Sequence, residues 1–112
     1  MSNAVNTLLE SLKINSRVDS RLISPIVDFR HRVILEHIDR YRNHLDELGA
    51  VEFKIGKQET AGGPQVQRYA LLNEDHCYFI LLLMRNNPKA SLAKLAFIKA
   101  FRLSRMVPPP AH

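Results

Sequence analysis

The chain has 112 residues, 46% of them apolar and 24% charged, with sixteen Lys and Arg against eleven Asp and Glu and a formal net charge of +5. That is one domain's worth of chain, long enough to bury roughly two thirds of its unfolded surface without a metal or cross-link. The single cysteine, Cys77, excludes an internal disulfide, and there is no Cys/His quartet of zinc-site spacing and no apolar run long enough to span a bilayer.

In chain order, residues 1–19 read as an N-terminal arm, in which Leu8, Leu9 and Leu12 fit a short helix and Lys13 to Val18 a short extended pair. Ser20 to Ser24 reads as one or two helical turns capped by Ser20 and ended or restarted at Pro25. From Asp28 to Leu48, the residues Ile34, Ile38, Tyr41, Leu45 and Leu48 recur at spacings of four and three. That predicts one long amphipathic helix with Asp28 as its N-cap and Gly49 as a left-handed C-terminal cap.

Val51, Phe53 and Ile55 alternate with Glu52 and Lys54, and the turn-rich stretch from Thr60 to Pro64 separates them from Val66, Tyr69 and Leu71. A β-hairpin follows, with strands at roughly 51–57 and 65–71 and a long, flexible tip. Asn73 caps a third helix, with Glu74 and Asp75 in its first turn and an almost wholly apolar body from Tyr78 to Met84, to be buried in this fold or against a partner. Asn87 and Pro88 open a last helix running to about Arg105, and Pro108 to Pro110 leave a stiff tail over 107–112. Residues 20–106 are thus expected to form one α+β domain.

A short helix, a long helix and a β-hairpin form the order of a winged helix-turn-helix, in which the second helix enters a major groove and the hairpin touches adjacent backbone. The charge distribution agrees: residues 1–50 hold seven basic and seven acidic side chains, and residues 51–112 hold nine and four. Basic charge confined to one part of a small domain suits a polyanion. The expected nucleic-acid contacts are Arg21, Arg30, His31 and Arg32, with Lys54, Lys57 and Arg68 on the wing. Glu36 and Asp39 would face phosphates badly, so only the first turn and a half of the long helix is offered as a contact surface. The competing readings are helix-surface ion pairs of Glu36 with Arg32 or Arg40, a packing or capping role for His31, and a solvated strand face for the hairpin cations.

The last helix gathers Lys94, Lys99, Arg102 and Arg105 around Ile98, a set able to meet phosphates or an acidic protein partner. No convergent acid-base or nucleophile-base constellation is visible. His37 and His44 lack a third metal ligand, Cys77 has no separate base, and Gly62-Gly63 lacks the phosphate-loop spacing.

Several runs carry a resemblance. Ser20-Arg21-x-Ile23, His31-x-x-Ile34-Leu35-x-x-Ile38, Tyr41, Leu45, Gly49 and Val51-x-Phe53 are similar to the N-terminal portion of phage regulatory proteins of the Rha family. Tyr69-Ala70-Leu71-Leu72-Asn73-Glu74, Leu82-Leu83-Met84-Arg85-Asn86 and Lys94-x-x-Phe97-Ile98-x-Ala100-Phe101 resemble three further blocks of that family in order and spacing. The resemblance spans about residues 20 to 104. It implies a small phage or prophage regulator acting on DNA or on a transcriptional partner, without enzymatic activity, with Ser20, Arg21 and His31 in its helix-turn-helix-like segment. Pro25 departs from the family's continuous first helix, and Glu36 stands where a basic residue is common.

The expectation is therefore a non-enzymatic, winged-helix-like regulator of double-stranded DNA, cytoplasmic, without metal or cofactor. Two copies are expected to pair, because the last two helices carry more apolar surface than the first half can cover. The alternative is an antirepressor-like module that docks a regulatory protein through the last helix.

Overall fold

Helix α1 (Asn3–Asn15) leads into a two-residue strand β1 (Val18–Asp19), a 3₁₀ turn (Ser20–Leu22), and three short helices: α2 (Ile23–Val27), α3 (His31–Arg40) and α4 (Arg42–Asp46). A hairpin of β2 (Glu52–Thr60) and β3 (Gly63–Leu72) follows, then α5 (Glu74–Leu83) and α6 (Ala90–Met106). This computed structural model describes residues 3–84 and 87–106. Arg85, Asn86 and the proline tail therefore lie outside the described residues.

The chain is α+β, as expected. Its sheet is antiparallel throughout, ordered β1-β3-β2, with Val18 opposite Leu72 and Glu52 opposite Leu71. Arg17 reinforces the join, donating from Nη1 to the carbonyls of Ala50 at 2.8 Å and Leu71 at 3.1 Å.

The expected long helix is broken. Tyr41 adopts φ −107° and ψ 24°, ending α3 and starting α4, although the apolar stripe passes through it. The two segments bury Ile34, Ile38 and Leu45, so the packing surface survives the change of axis. Asp28 does not cap α3. It closes α2 in the left-handed region at φ 61°, and Arg30 occupies the N-cap of α3 without a side-chain cap bond. The 3₁₀ turn is capped by Asp19, whose Oδ1 accepts from the Arg21 amide at 2.9 Å, rather than by Ser20. Pro25 falls in the first turn of α2, where its missing N–H costs nothing.

The hairpin is longer and tighter than expected. Ladder pairing runs from Glu52 opposite Leu71 out to Thr60 opposite Gly63, so only Ala61 and Gly62 connect the strands. Thr60 Oγ1 donates to the Gly63 carbonyl at 2.7 Å and accepts from the Gly62 amide at 3.2 Å. That fastens the tip expected to be flexible.

Gly49 has φ 124°, and a Cβ there would come within 2.7 Å of Asn73 Nδ2, so the position needs glycine for both backbone and space. Asn73 caps α5 as expected. Helix α5 is not buried all round: Cys77, Ile80 and Leu81 face the core while Leu82 is exposed. Helix α6 buries Ala93, Ala96, Phe97, Ala100 and Phe101. Helix α1 packs along it and brings Val5 and Leu8 into the same core as Ile23, Ile34, Leu72 and Ile80.

Candidate nucleic-acid interface

The first residue of α3 is tied to two other elements. His31 Nδ1 accepts from Gln67 Nε2 of β3 at 3.0 Å, which leaves the ring proton on Nε2, 2.8 Å from Ser20 Oγ. Ser20 Oγ also accepts from the amide of Ala70 at 2.9 Å. Desolvation by burial holds the imidazole below its ordinary pKa, outweighing the nearby Asp19 carboxylate. His31 is therefore a neutral fastener between α3, the 3₁₀ turn and the hairpin. Both ring nitrogens are thus engaged within the fold, as in the packing reading of this residue.

Arg21 is also engaged inward. Its Nε lies 3.1 Å from Asp19 Oδ1 and its Nη2 2.6 Å from Asp19 Oδ2, a two-pronged pairing, and its guanidinium carbon stands 3.7 Å from the centre of the Tyr69 ring. The bond to Asp19 raises the guanidinium pKa further. Gly56, across the hairpin, makes room: a Cβ there would meet Tyr69 Cε1 at 3.1 Å and Arg21 Nη1 at 3.3 Å.

Arg68 forks onto Asp39 of α3, with Nη1–Oδ1 at 3.1 Å and Nη2–Oδ2 at 2.6 Å, and lies 4.8 Å above the Phe53 ring. This bond holds the Asp39 carboxyl below its usual range. Arg68 is thus occupied, but the pairing also cancels the acid on α3 that would have repelled phosphates.

Three expected contacts remain available. Arg30, Lys54 and Lys57 are exposed and pair with none of the described side chains. Arg32 is exposed and lies 3.8 Å from Glu36, a contact of the surface type worth little in water. Arg40 completes the outward stripe Arg32, Glu36, Arg40 at four-residue spacing; from the sequence it is expected only as an ion-pair partner of Glu36, not as a contact. Lys54 and Lys57 fall on opposite faces of the ribbon, since register places Lys54 with Tyr69 and Lys57 with Val66. The sequence also gave no sign that Ile55 and Val66, 74% and 72% exposed, would share the Lys57 face.

The five residues expected on the last helix do not act as one patch. Arg105 Nη1 bonds Glu74 Oε1 at 2.6 Å, and Tyr78 Oη donates to Glu74 Oε2 at 2.8 Å. That triad ties α6 to α5, and burial together with the Glu74 bond pushes the Tyr78 hydroxyl up to about 12. At 100° per residue, Lys94 and Ile98 lie on the Arg105 side, whereas Lys99 and Arg102 share a side with the exposed Leu92, Leu95 and Met106.

Cys77 is fully buried, and desolvation pushes its thiol far above the range in which a thiolate forms. Among the described residues, no three His, Cys, Asp or Glu side chains converge as a metal site, and no helix is long and apolar enough to cross a membrane. A family model described as phage regulatory protein Rha matches residues 18–105. No curated protein and no solved structure matches the chain.

Proposed function

The chain belongs to the phage regulatory protein Rha family, and from that premise we propose that it binds double-stranded DNA as a winged helix-turn-helix. The order α1, β1, α2, α3, α4, β2, β3, with the sheet arranged β1-β3-β2, supports this reading. In this reading α3 is the helix presented to the major groove and the β2–β3 hairpin is the wing.

The observation that carries the reading is the distribution of exposed cations. Arg30 precedes α3, Arg32 and Arg40 lie along its outer stripe, and Lys54 and Lys57 stand on the hairpin, all exposed, while Asp39 is neutralised by Arg68. A ribbon with a cation on each face suits a groove whose two walls are phosphate strands. Arg21, His31 and Arg68 hold the helix and wing in fixed relation and do not touch the backbone of the nucleic acid. Arg30, Arg32, Arg40, Lys54 and Lys57 supply the phosphate contacts.

The test is fluorescence anisotropy of the whole protein with labelled mixed-sequence duplex DNA across a salt series. Micromolar binding with log K falling linearly against log salt, at a slope of about −3 to −5 for the five cations, is the expected outcome. Absence of binding at low salt overturns the proposal.

A further inference from the structure

Helix α6 carries two stripes. The buried one, centred on Ala93, Phe97 and Ala100, faces the core. The other consists of Leu92, Leu95, Lys99, Arg102 and Met106, at spacings of three, four, three and four, the pattern by which one helix meets another. Leu92 is 66%, Leu95 48% and Met106 74% exposed. Beside this stripe runs α1, and between the two helices lies a groove of about 360 Å³ lined by Ala4, Val5, Ile26, Leu92, Leu95 and Lys99. It continues past Lys99 and Arg102 to Leu103 and Met106.

We propose that this α1–α6 groove is a docking surface for an amphipathic helix of a partner protein, one that sets apolar anchors against Leu92, Leu95 and Met106 and acidic side chains against Lys99 and Arg102.

Charge selects the occupant. Lys99 and Arg102 sit in the middle of the stripe, and neither pairs with a described side chain. A second copy is the natural alternative, but a two-fold contact along this stripe is self-defeating. In antiparallel register centred on Lys99, lysine meets lysine and Leu95 meets Arg102; in parallel register both cations meet their own copies. A helix with carboxylates at those positions satisfies both cations and covers the three aliphatic side chains at once. A nucleic acid would leave Leu92, Leu95 and Met106 exposed. The expected pairing of two copies therefore does not run through this face. The proposal is independent of DNA binding, whose cations lie on α3 and the hairpin.

The test uses the full chain and two synthetic helical peptides titrated by fluorescence anisotropy. Both peptides carry leucine where α6 has Leu92, Leu95 and Met106; one carries glutamate where α6 has Lys99 and Arg102, and the other carries lysine there. The glutamate peptide is expected to bind at least about tenfold more tightly than the lysine peptide. The variant K99E/R102E, altered only at exposed positions, should invert that preference while its duplex-DNA affinity stays unchanged. The variant Leu95→Ser should weaken the glutamate peptide about tenfold. Equal binding of both peptides, binding of neither, or a concentration-dependent dimer abolished by Leu95→Ser would each overturn the proposal.

Discussion

Asn73 and His76 cap α5 reciprocally: Asn73 Oδ1 accepts from the amide of His76 at 2.8 Å, and His76 Nδ1 accepts from the amide of Asn73 at 3.1 Å. The proton on His76 is therefore at Nε2, which faces the carbonyls of Leu45 at 2.9 Å and Gly49 at 2.7 Å. One buried ring thus serves both the start of α5 and the end of α4. Replacing it with leucine leaves the Asn73 amide and the Gly49 carbonyl without their partner, the Leu45 carbonyl keeping the Leu48 amide, and His76→Leu should lose about 3 kcal/mol of stability. His76→Gln keeps an acceptor for the capping box and should lose less, a ranking that thermal unfolding followed by circular dichroism would check.

Arg21 and Lys57 should separate structure from binding. Arg21→Ala removes a forked bond to the largely buried Asp19 and the stack on Tyr69, which should cost about 1–3 kcal/mol of stability. Lys57→Ala removes no described side-chain hydrogen bond or ion pair and should leave the melting temperature in place, weaken duplex binding uniformly across sequences, and reduce the salt slope by about one. Equal loss of stability in both variants would contradict the assignment.

Glu36 is the one acid left on the outer stripe of α3, between Arg32 and Arg40. On the proposed mode of binding, Glu36→Gln removes a repulsion from phosphate and should tighten duplex binding about two- to fivefold at low salt, the gain shrinking as salt screens it. Anisotropy titrations of wild type and variant in parallel would measure it.

The neutral His31 makes stability pH-dependent. Because its pKa in the fold is depressed by burial, the unfolded chain binds the proton more readily. The contribution of neutral His31 is complete above its ordinary pKa near 6.5 and is lost as the pH falls through that value toward the folded one. His31→Gln should flatten the urea-midpoint profile in that window; an unchanged profile would show the ring is not the group responsible.

The local devices were readable in the chain because each is written in neighbouring residues: Asn73 before Glu74 and Asp75, Gly49 after a periodic stripe, Thr60 to Pro64 between alternating runs. The break at Tyr41 was not, because an aromatic residue continues the apolar spacing and neither glycine nor proline marks the bend. The fate of Arg21 depends on Tyr69 and Gly56, brought to it by the sheet from far along the chain. No composition or spacing argument reaches that contact. On α6 the division of cations between two sides was present in the periodicity, but Arg105 became a structural tie only through Glu74 on another helix.

Helix α1 rests on α6, and β1 pairs with the last two residues of β3. Residues made early thus wait for partners more than fifty positions further along the chain. Until Leu72 has been made, Val18 has no ladder to join, and until α6 has been made, Val5 and Leu8 lack the helix on which α1 packs. Such sequence-distant contacts slow folding, and they make the N-terminal segment a sensor of the far end. Deleting α6 should make residues 3–15 an early target for proteases, even though no residue of α1 has been altered.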